Sequence, residues 1–203
     1  PLSAGRLLGT SFARYPEELM QQLYQCPHSV LVSSPALLGR LSAQLNWSVG
    51  ASRLQCVFSS GGPLSAEVSE HVLQLFGHSP TEVFGSSETG GIAWRRRAEH
   101  GDTWQALPRV ALQVADNGCL VVQSPHLPDS SVWQETADRV QASEDGCSFV
   151  LLGRSDRIVK IAEKRVSLTA IEQCLQAHAW VQQAKAIVLE PSEGGAAVGR
   201  IGV

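Results

Sequence analysis

The sequence predicts an α/β fold that continues into an antiparallel segment rich in β-strands. In the first half, short apolar runs alternate with helical patterns, and glycine-rich turns separate them. Beyond Glu88, the dipeptides Asn117-Gly118 and Asp145-Gly146 separate apolar runs, as they do in β-hairpins. A chain of 203 residues with 43% apolar composition is long enough to bury a real core.

Five elements are predicted in the first half. In chain order they are a helix from Pro16 to Gln25, a strand from Val30 to Val32, a helix starting at Ser34-Pro35 with leucines at helical spacing to Leu45, a strand from Leu54 to Phe58, and a helix capped by Ser65 and closed by Gly77. Proline suits the first turn of a helix, serine caps its start, and glycine ends it. A further strand then ends at Gly85.

The second half is predicted to hold two antiparallel hairpins and then a small α+β segment. The segment comprises a β-ribbon around Ala162-Glu163-Lys164, a helix with Leu168, Ile171 and Leu175 on one face, and a strand from Ala186 to Leu189. This order predicts a boundary near Ser155, with residues 1–154 in a large domain and residues 155–203 at the start of a small one.

Composition excludes several classes of function. The net charge of −3 provides no basic field for nucleic acid or an anionic membrane. No apolar run approaches the roughly 18 residues of a membrane span, and no export signal is visible. The five cysteines have no zinc-binding spacing, which indicates a reduced set and a cytoplasmic location.

Two further features are given a structural interpretation. Arg95-Arg96-Arg97 is predicted to be a solvated loop or strand end, with the phosphate of coenzyme A or an acidic carrier protein as the alternative partner. The five tryptophans are predicted to be packing residues, although Trp94 is also a candidate for an acyl pocket.

Two runs, residues 82–89 and 153–160, carry the chemistry, with residues 135–138 between them. The first places three hydroxyls and the carboxylate of Glu88 on a glycine-flanked turn. Hydroxyls bind phosphate oxygens, and a carboxylate beside a triphosphate needs a bridging Mg²⁺, so Glu88 is the predicted metal ligand. The run lacks both the Gly-Lys-Ser/Thr ending of a phosphate loop and the Gly-x-Ser-x-Gly pattern of a hydrolase elbow.

In this order the runs resemble the nucleotide-binding segments of the adenylate-forming superfamily: acyl-CoA synthetases, peptide-synthetase adenylation domains and luciferases. The resemblance implies an AMP-forming ligase that uses ATP and Mg²⁺ to activate a fatty or aryl carboxylic acid as an acyl-adenylate. The acceptor stays open between coenzyme A, the phosphopantetheine thiol of an acyl carrier protein, and none.

The resemblance also implies roles for individual residues. Gly61, Gly62 and Pro63 would lie against adenine, and Ser87 would hold phosphate beside the catalytic Glu88. Asp138 would bind the ribose, and Arg154 would complete the ribose or phosphate contact. Asp156 would be the hinge, and Arg165 would lie near the active site. Glu82, Phe84 and Gly85 complete the nucleotide-binding set. Phe84 is expected either to stack on the purine or to belong to the core.

The family's phosphate loop and its small-domain lysine are not found in the sequence. The resemblance therefore implies the C-terminal part of the large AMP-binding domain and the beginning of the small mobile one, and we expect the 203-residue chain alone to be inactive. Ala137, Cys119 and Glu163 depart from the family pattern. They favour the alternative, a degenerate relative that binds a nucleotide or acyl ligand without catalysis, or serves as a partner module.

Overall fold

The computed structural model describes residues 12–26, 28–161, 164–189 and 200–202. The chain forms two compact units: one reaches Val110 and includes Ser124–Ser131, and the other comprises Ala111–Gln123 and the chain from Val132 onward. Within the described residues, no helix is both long and apolar enough to cross a bilayer. The predicted domain boundary near Ser155 stays a prediction.

The first unit is an α/β structure, as predicted. Its helices are α1 (Pro16–Gln25), α2 (Pro35–Leu38), α3 (Ser48–Arg53), α4 (Ala66–Phe76) and α5 (Arg97–His100), and its strands are β1 (Ser29–Ser33), β2 (Leu54–Ser59), β3 (Thr81–Ser86), β4 (Gly90–Arg95) and β5 (Thr103–Ala106). The strand order is β1-β2-β3-β4-β5. The first three strands are parallel, and β3, β4 and β5 pair antiparallel.

The ends of α4 follow the predicted chemistry. The Ser65 hydroxyl accepts a hydrogen bond from the backbone N–H of Val68 at 3.2 Å, which satisfies one of the free donors of the first turn. Gly77 ends the helix with φ of 72°, a left-handed conformation that glycine adopts without steric cost. The predicted cap and stop are both confirmed.

The second helix is shorter than predicted. It ends at Leu38, and the N–H of Gly39 donates to the carbonyl of Pro35 at 2.8 Å. Beyond Gly39, a poor helix former, the backbone tightens into three-residue turns. The predicted continuation of the helix to Leu45 is therefore wrong. Leu41 is nevertheless only 5% exposed, so it packs into the core from a turn.

The core of the first unit lies between the helices and the sheet. Leu38, Val57 and Val72 have no exposed surface, and Trp47 meets Phe76 edge to face with ring centroids 5.2 Å apart. Such aromatic pairs contribute about 0.5–1.5 kcal/mol beyond the burial of their area. This core includes Leu54 and Val57 of β2, the strand that leads into the candidate loop at residues 60–63.

The second unit begins with an antiparallel meander, also as predicted. Its elements are β6 (Ala111–Val114), β7 (Cys119–Gln123), β8 (Gln134–Ala142), β9 (Ser148–Arg154), a 3₁₀ turn (Ser155–Arg157), β10 (Ile158–Ile161), β11 (Lys164–Ser167), α6 (Leu168–Gln176), β12 (Ile187–Leu189) and β13 (Arg200–Gly202). The meander order is β9-β8-β7-β6. Gly118 and Gly146 have φ of 80° and 64° in the two predicted hairpin turns.

The rest of the second unit contains the predicted ribbon and helix. β10 and β11 pair antiparallel, and Ser167 caps α6 by accepting from the N–H of Ala170 at 3.2 Å. Ala162 and Glu163, at the predicted ribbon turn, lie outside the described residues.

The packing role predicted for the tryptophans is confirmed only in part. Trp47 and Trp104 are 4% and 6% exposed, as packing residues should be. Trp133 is 38% exposed and Trp180 is 90% exposed, so the prediction is wrong for these two. Both lie outside the regular elements, Trp133 just before β8 and Trp180 in the turn after α6.

Candidate functional site

The candidate nucleotide residues fall in both units. In the first unit they occupy the loop after β2 and the β3–β4 hairpin. In the second unit they occupy the ends of β8 and β9 and the turn that follows.

The loop Ser60–Pro63 is exposed, whereas the residues on either side of it are buried. Ser59 and Leu64 are each 2% exposed. Gly61 has φ of 86°, and a Cβ added there would meet no atom within 4 Å. An open, side-chain-free backbone can approach a flat ligand closely, which is what the adenine contact predicted for Gly61, Gly62 and Pro63 requires.

The tip of the β3–β4 hairpin presents the predicted phosphate and metal residues. Thr89 is 2% exposed and secures the turn: its N–H donates to the Ser86 hydroxyl at 3.2 Å, and its own hydroxyl accepts from the Ser86 N–H at 3.2 Å. Ser87 and Glu88 are both exposed on this anchored tip. A hydroxyl and a carboxylate side by side on a fixed turn suit a phosphate and its counter-cation.

Gly85 is required by close approach of the two strands. A Cβ at this position would lie 2.1 Å from the carbonyl oxygen of Gly90 across the hairpin and 3.0 Å from Cα of Gly91. No side chain fits there unless the backbone moves. Gly85 thus allows the narrow tip, and its predicted nucleotide contact would be made by backbone.

The side chain of Glu82 is committed to a buried ion pair. Glu82 is 3% exposed, and its carboxylate accepts two hydrogen bonds from Arg95, from Nε at 2.9 Å and from Nη2 at 2.8 Å. Arg97 Nε lies 3.1 Å from the same carboxylate. The structure places Glu82 on the predicted strand, and it gives the carboxylate these protein partners.

This ion pair corrects the interpretation of the arginine cluster. Arg95 is 6% exposed, so the prediction of a solvated patch is wrong for that residue. Arg96 has a side chain that is 40% exposed and pairs with Glu99, as a surface residue would. The Arg95 side chain lies inward because Glu82 is its partner on the neighbouring strand.

Phe84 belongs to an aromatic group that spans three strands. The Arg95 guanidinium lies 4.2 Å from the centroid of the Trp104 ring, and Trp104 meets Phe84 with centroids 5.4 Å apart at 52°. Phe84 and Trp104 lie on β3 and β5, and on β4 between them Phe84 pairs with Ala93, which is fully buried. Phe84 is partly buried, so some of its surface stays accessible.

In the second unit, Asp138 and Arg154 are brought together. They are register partners on β8 and β9, with Arg154 Nη1 3.4 Å from Asp138 Oδ1. Arg154 also donates to both carboxylate oxygens of Asp156, from Nε at 3.0 Å and from Nη2 at 2.5 Å. Asp138, Arg154 and the predicted hinge residue Asp156 therefore form one charged cluster.

The pKa values of the two carboxyls in this cluster are shifted in opposite directions. Burial raises the pKa of the Asp138 carboxyl, and the nearby Arg154 charge opposes this only in part. The hydrogen bonds from Arg154 lower the pKa of Asp156. The Ser155 hydroxyl donates to the carbonyl of Ala137 at 3.1 Å, which ties the turn after β9 back to β8.

Arg165 lies on β11, where its register partner on β10 is Lys160. Among the residues described, no group of three or more His, Cys, Asp or Glu side chains could hold a metal by itself. A cation at Glu88 would therefore need oxygens from a ligand, as Mg²⁺ shared with phosphates does. Arg95, Arg97 and Trp104 are the residues around the candidate site that were not assigned to it from sequence.

No family model matches the chain. It is 31% identical over 126 residues to a 4-coumarate–CoA ligase of Cereibacter sphaeroides, covering 62% of this chain and 28% of the relative. It is 26% identical over 168 residues to a 4-hydroxybenzoate–CoA/benzoate–CoA ligase of Rhodopseudomonas palustris, covering 70% of this chain and 31% of the relative. The chain thus spans less than a third of the length of these relatives.

A solved structure, ATP-bound MatB from Rhodopseudomonas palustris, superposes with a TM-score of 0.67 at 20% identity. The match covers 90% of this chain and 41% of that one. At this identity the likeness establishes the fold.

Proposed function

We propose that this chain takes part in the ATP-dependent activation of a carboxylic acid. The proposal is supported by its fold, which is that of the adenylate-forming superfamily, and by its sequence similarity to CoA ligases of that superfamily. The reaction would form an acyl-adenylate. The observation that carries the proposal is the pairing of Asp138 with Arg154 at the ends of neighbouring strands, next to Asp156. A carboxylate beside a planar cationic fork suits the vicinal hydroxyls of a ribose.

In the proposed reaction, a carboxylate oxygen of the substrate attacks the α-phosphorus of ATP. The new P–O bond forms as the bond to the β-phosphate oxygen breaks, and pyrophosphate leaves with the electron pair. Mg²⁺ would neutralise charge on the phosphates. Glu88 would hold this ion, and the Ser87 hydroxyl would donate to a phosphate oxygen from the anchored hairpin tip.

The remaining residues would bind and orient the nucleotide. Gly61, Gly62 and Pro63 would lie on one side of adenine, and Phe84 would offer its accessible surface to the other. Glu82 and Gly85 would shape the strand that carries Phe84, because Glu82 is held by Arg95 and Gly85 permits the narrow hairpin. Arg165 stays a proposed member of the site.

The curated relatives guide the choice of acid and acceptor. Both are named for aromatic acids and coenzyme A, which supports an aryl acid and coenzyme A ahead of a fatty acid and an acyl carrier protein. All five cysteines are free, which supports the proposed cytoplasmic location. Asp156 would be the hinge about which a small domain turns between the two half-reactions.

The test is acid-dependent exchange of pyrophosphate into ATP by the protein that carries this chain, over a panel of aryl and fatty acids. Glu88→Ala and Asp138→Ala should each lower exchange about 10²- to 10³-fold, the range found when a group that stabilises a transition state is removed. Glu70→Ala, which removes an exposed carboxylate on α4, is the control. Full exchange in both site variants would refute the proposal.

A second proposal concerns the 203-residue chain by itself. Because it spans 28% of the 4-coumarate–CoA ligase, we expect it to bind nucleotide but to turn over little or not at all. Pyrophosphate release from this chain that depends on added acid would contradict that expectation.

One observation favours the non-catalytic alternative. Cys119 stands where the family often has glutamate, and it is 2% exposed within β7, so this position serves packing here. A degenerate relative would bind ATP yet show no pyrophosphate exchange with any acid, even in its longest natural form. Exchange with a single acid would exclude it.

A further inference from the structure

The exposed loop Ser60–Pro63 is fixed at its two ends by hydrogen bonds to different elements. At the first end, the N–H of Ser60 donates to the carbonyl of Ser33 on β1 at 3.2 Å. At the other end, the carbonyl of Leu64 accepts from Arg97 Nη2 at 3.0 Å. Two adjacent glycines give the backbone between these points wide conformational freedom, so the anchors decide where the loop lies.

Arg97 reaches the loop from the start of α5 and joins it to β3. Its Nε lies 3.1 Å from Glu82 Oε1, a charge contact without the angle of a hydrogen bond, and its Nη1 contacts the carboxylate of Asp102. The side chain is only 21% exposed. One guanidinium thus connects the end of the glycine loop, the strand two residues before Phe84, and the turn that precedes β5.

The fork of the guanidinium is what makes this three-way connection possible. Two nitrogens of the fork donate to Asp102 and to the Leu64 carbonyl, and the third lies in charge contact with Glu82. A lysine ammonium is instead a single point charge on a flexible stem. The carboxylate of Glu82 is itself fixed by Arg95, so Arg97 attaches the loop to a part of β3 that cannot shift freely.

We infer that Arg97 is a positioning residue that holds the Ser60–Pro63 loop against β3, so that the loop and Phe84 keep the spacing of a flat base. This inference rests on the proposed function, since it assigns the base to adenine. It gives Arg97 a role in ordering the nucleotide site without contact to the nucleotide.

The test compares Arg97→Lys with Arg96→Lys in the 203-residue chain. Both variants keep the charge and lose a guanidinium, but Arg96 contacts Thr81 and Glu99 and not the loop. We expect Arg97→Lys to lower the backbone ¹⁵N order parameters of Gly61 and Gly62 from about 0.85 toward 0.6 or below, with Arg96→Lys unchanged. Arg97→Gln serves as a second variant if the lysine form folds poorly.

Comparing the affinities for two ligands distinguishes a loss of loop positioning from a general loss of stability. Arg97→Lys should weaken ATP about tenfold, through loss of preorganisation of the loop, and leave inorganic tripolyphosphate unchanged. Equal weakening of both ligands, an unchanged loop, or the same effect from Arg96→Lys would overturn the inference. If the wild-type chain bound no ATP, the expectation that this chain alone binds nucleotide would fail, and the order parameters would still decide whether Arg97 holds the loop.

Discussion

Replacing Arg95 with methionine should lower the free energy of unfolding by about 3 kcal/mol. The change removes two charge-assisted hydrogen bonds, at 2.9 and 2.8 Å, from Glu82, whose side chain is 4% exposed. Removing one partner of a buried pair costs about 3–5 kcal/mol, because the other charge is left without compensation. The lower end applies here, since Arg97 stays 3.1 Å from the same carboxylate.

Urea denaturation followed by near-UV circular dichroism measures this cost. With a slope of about 2 kcal/mol per molar urea, the midpoint should fall by about 1.5 M. The double variant Glu82→Met/Arg95→Met is the matched control, because replacing both members of a buried pair by apolar side chains is often neutral. It should regain most of the lost stability.

Two results would refute this reasoning. A cost below about 1 kcal/mol for Arg95→Met would mean that the pair behaves like an exposed one, with its charges screened by water. A double variant as unstable as the single one would mean that the methionine side chain itself fails to fit beside Trp104. In that case, the 4.2 Å contact between cation and ring would not be a replaceable packing contact.

Two further predictions concern the hairpin tip and the charged cluster. Gly85→Ala should destabilise the fold by about 1–3 kcal/mol or more, because the new Cβ would lie 2.1 Å from a backbone oxygen, whereas Gly62→Ala should change stability by less than about 0.5 kcal/mol; equal midpoints in thermal or urea unfolding would contradict this. Carboxyl ¹³C NMR during acidification should show Asp138 taking up its proton at higher pH than Asp156, since burial raises the first pKa and Arg154 lowers the second. The contribution of Asp138 to stability is then fully present below its ordinary value of 3.8 and lost as the pH rises through its folded pKa, and the reverse order of titration would refute the assignment.

The parts of the fold that local chemistry determines were predictable from sequence. The helix from Pro16 to Gln25 has the predicted bounds, and Ser65, Gly77 and Gly118 occupy the cap, stop and turn conformations expected of them. In each case the signal lies within a few residues of the element it defines.

The elements that were missed depend on distant partners. α3 has the sequence Ser-Val-Gly-Ala-Ser-Arg, which contains few good helix formers. Its Gly50 lies so close to Leu23 of α1 that an added Cβ would be 3.2 Å from a leucine methyl. Close packing between helices, which no local pattern reveals, accounts for that segment.

The candidate site divides in the same way. Ser87, Glu88, Asp138 and Arg154 became candidates because hydroxyl, carboxylate and guanidinium groups stood in short runs. Within the second unit, Asp138 and Arg154 lie opposite each other on neighbouring strands. The role inferred for Arg97 could not be predicted from a short run of residues, because its partners lie up to 33 residues away from it along the chain. The sequence offered one indication of this arrangement: residues two apart on a strand share a face, so Glu82 and Phe84 were expected on the same side of β3.

The methyl side chain of Ala93 on β4 leaves room for side chains of β3 and β5 to meet across the strand between them. Phe84 and Trp104 touch across the middle strand, where the partner of Phe84 is Ala93. A valine or leucine in place of Ala93 would lie between the two rings and separate them. The orientation of Phe84 would then no longer depend on the position of Trp104. The small side chain at position 93 of the middle strand thus determines how the rings of the two outer strands are arranged.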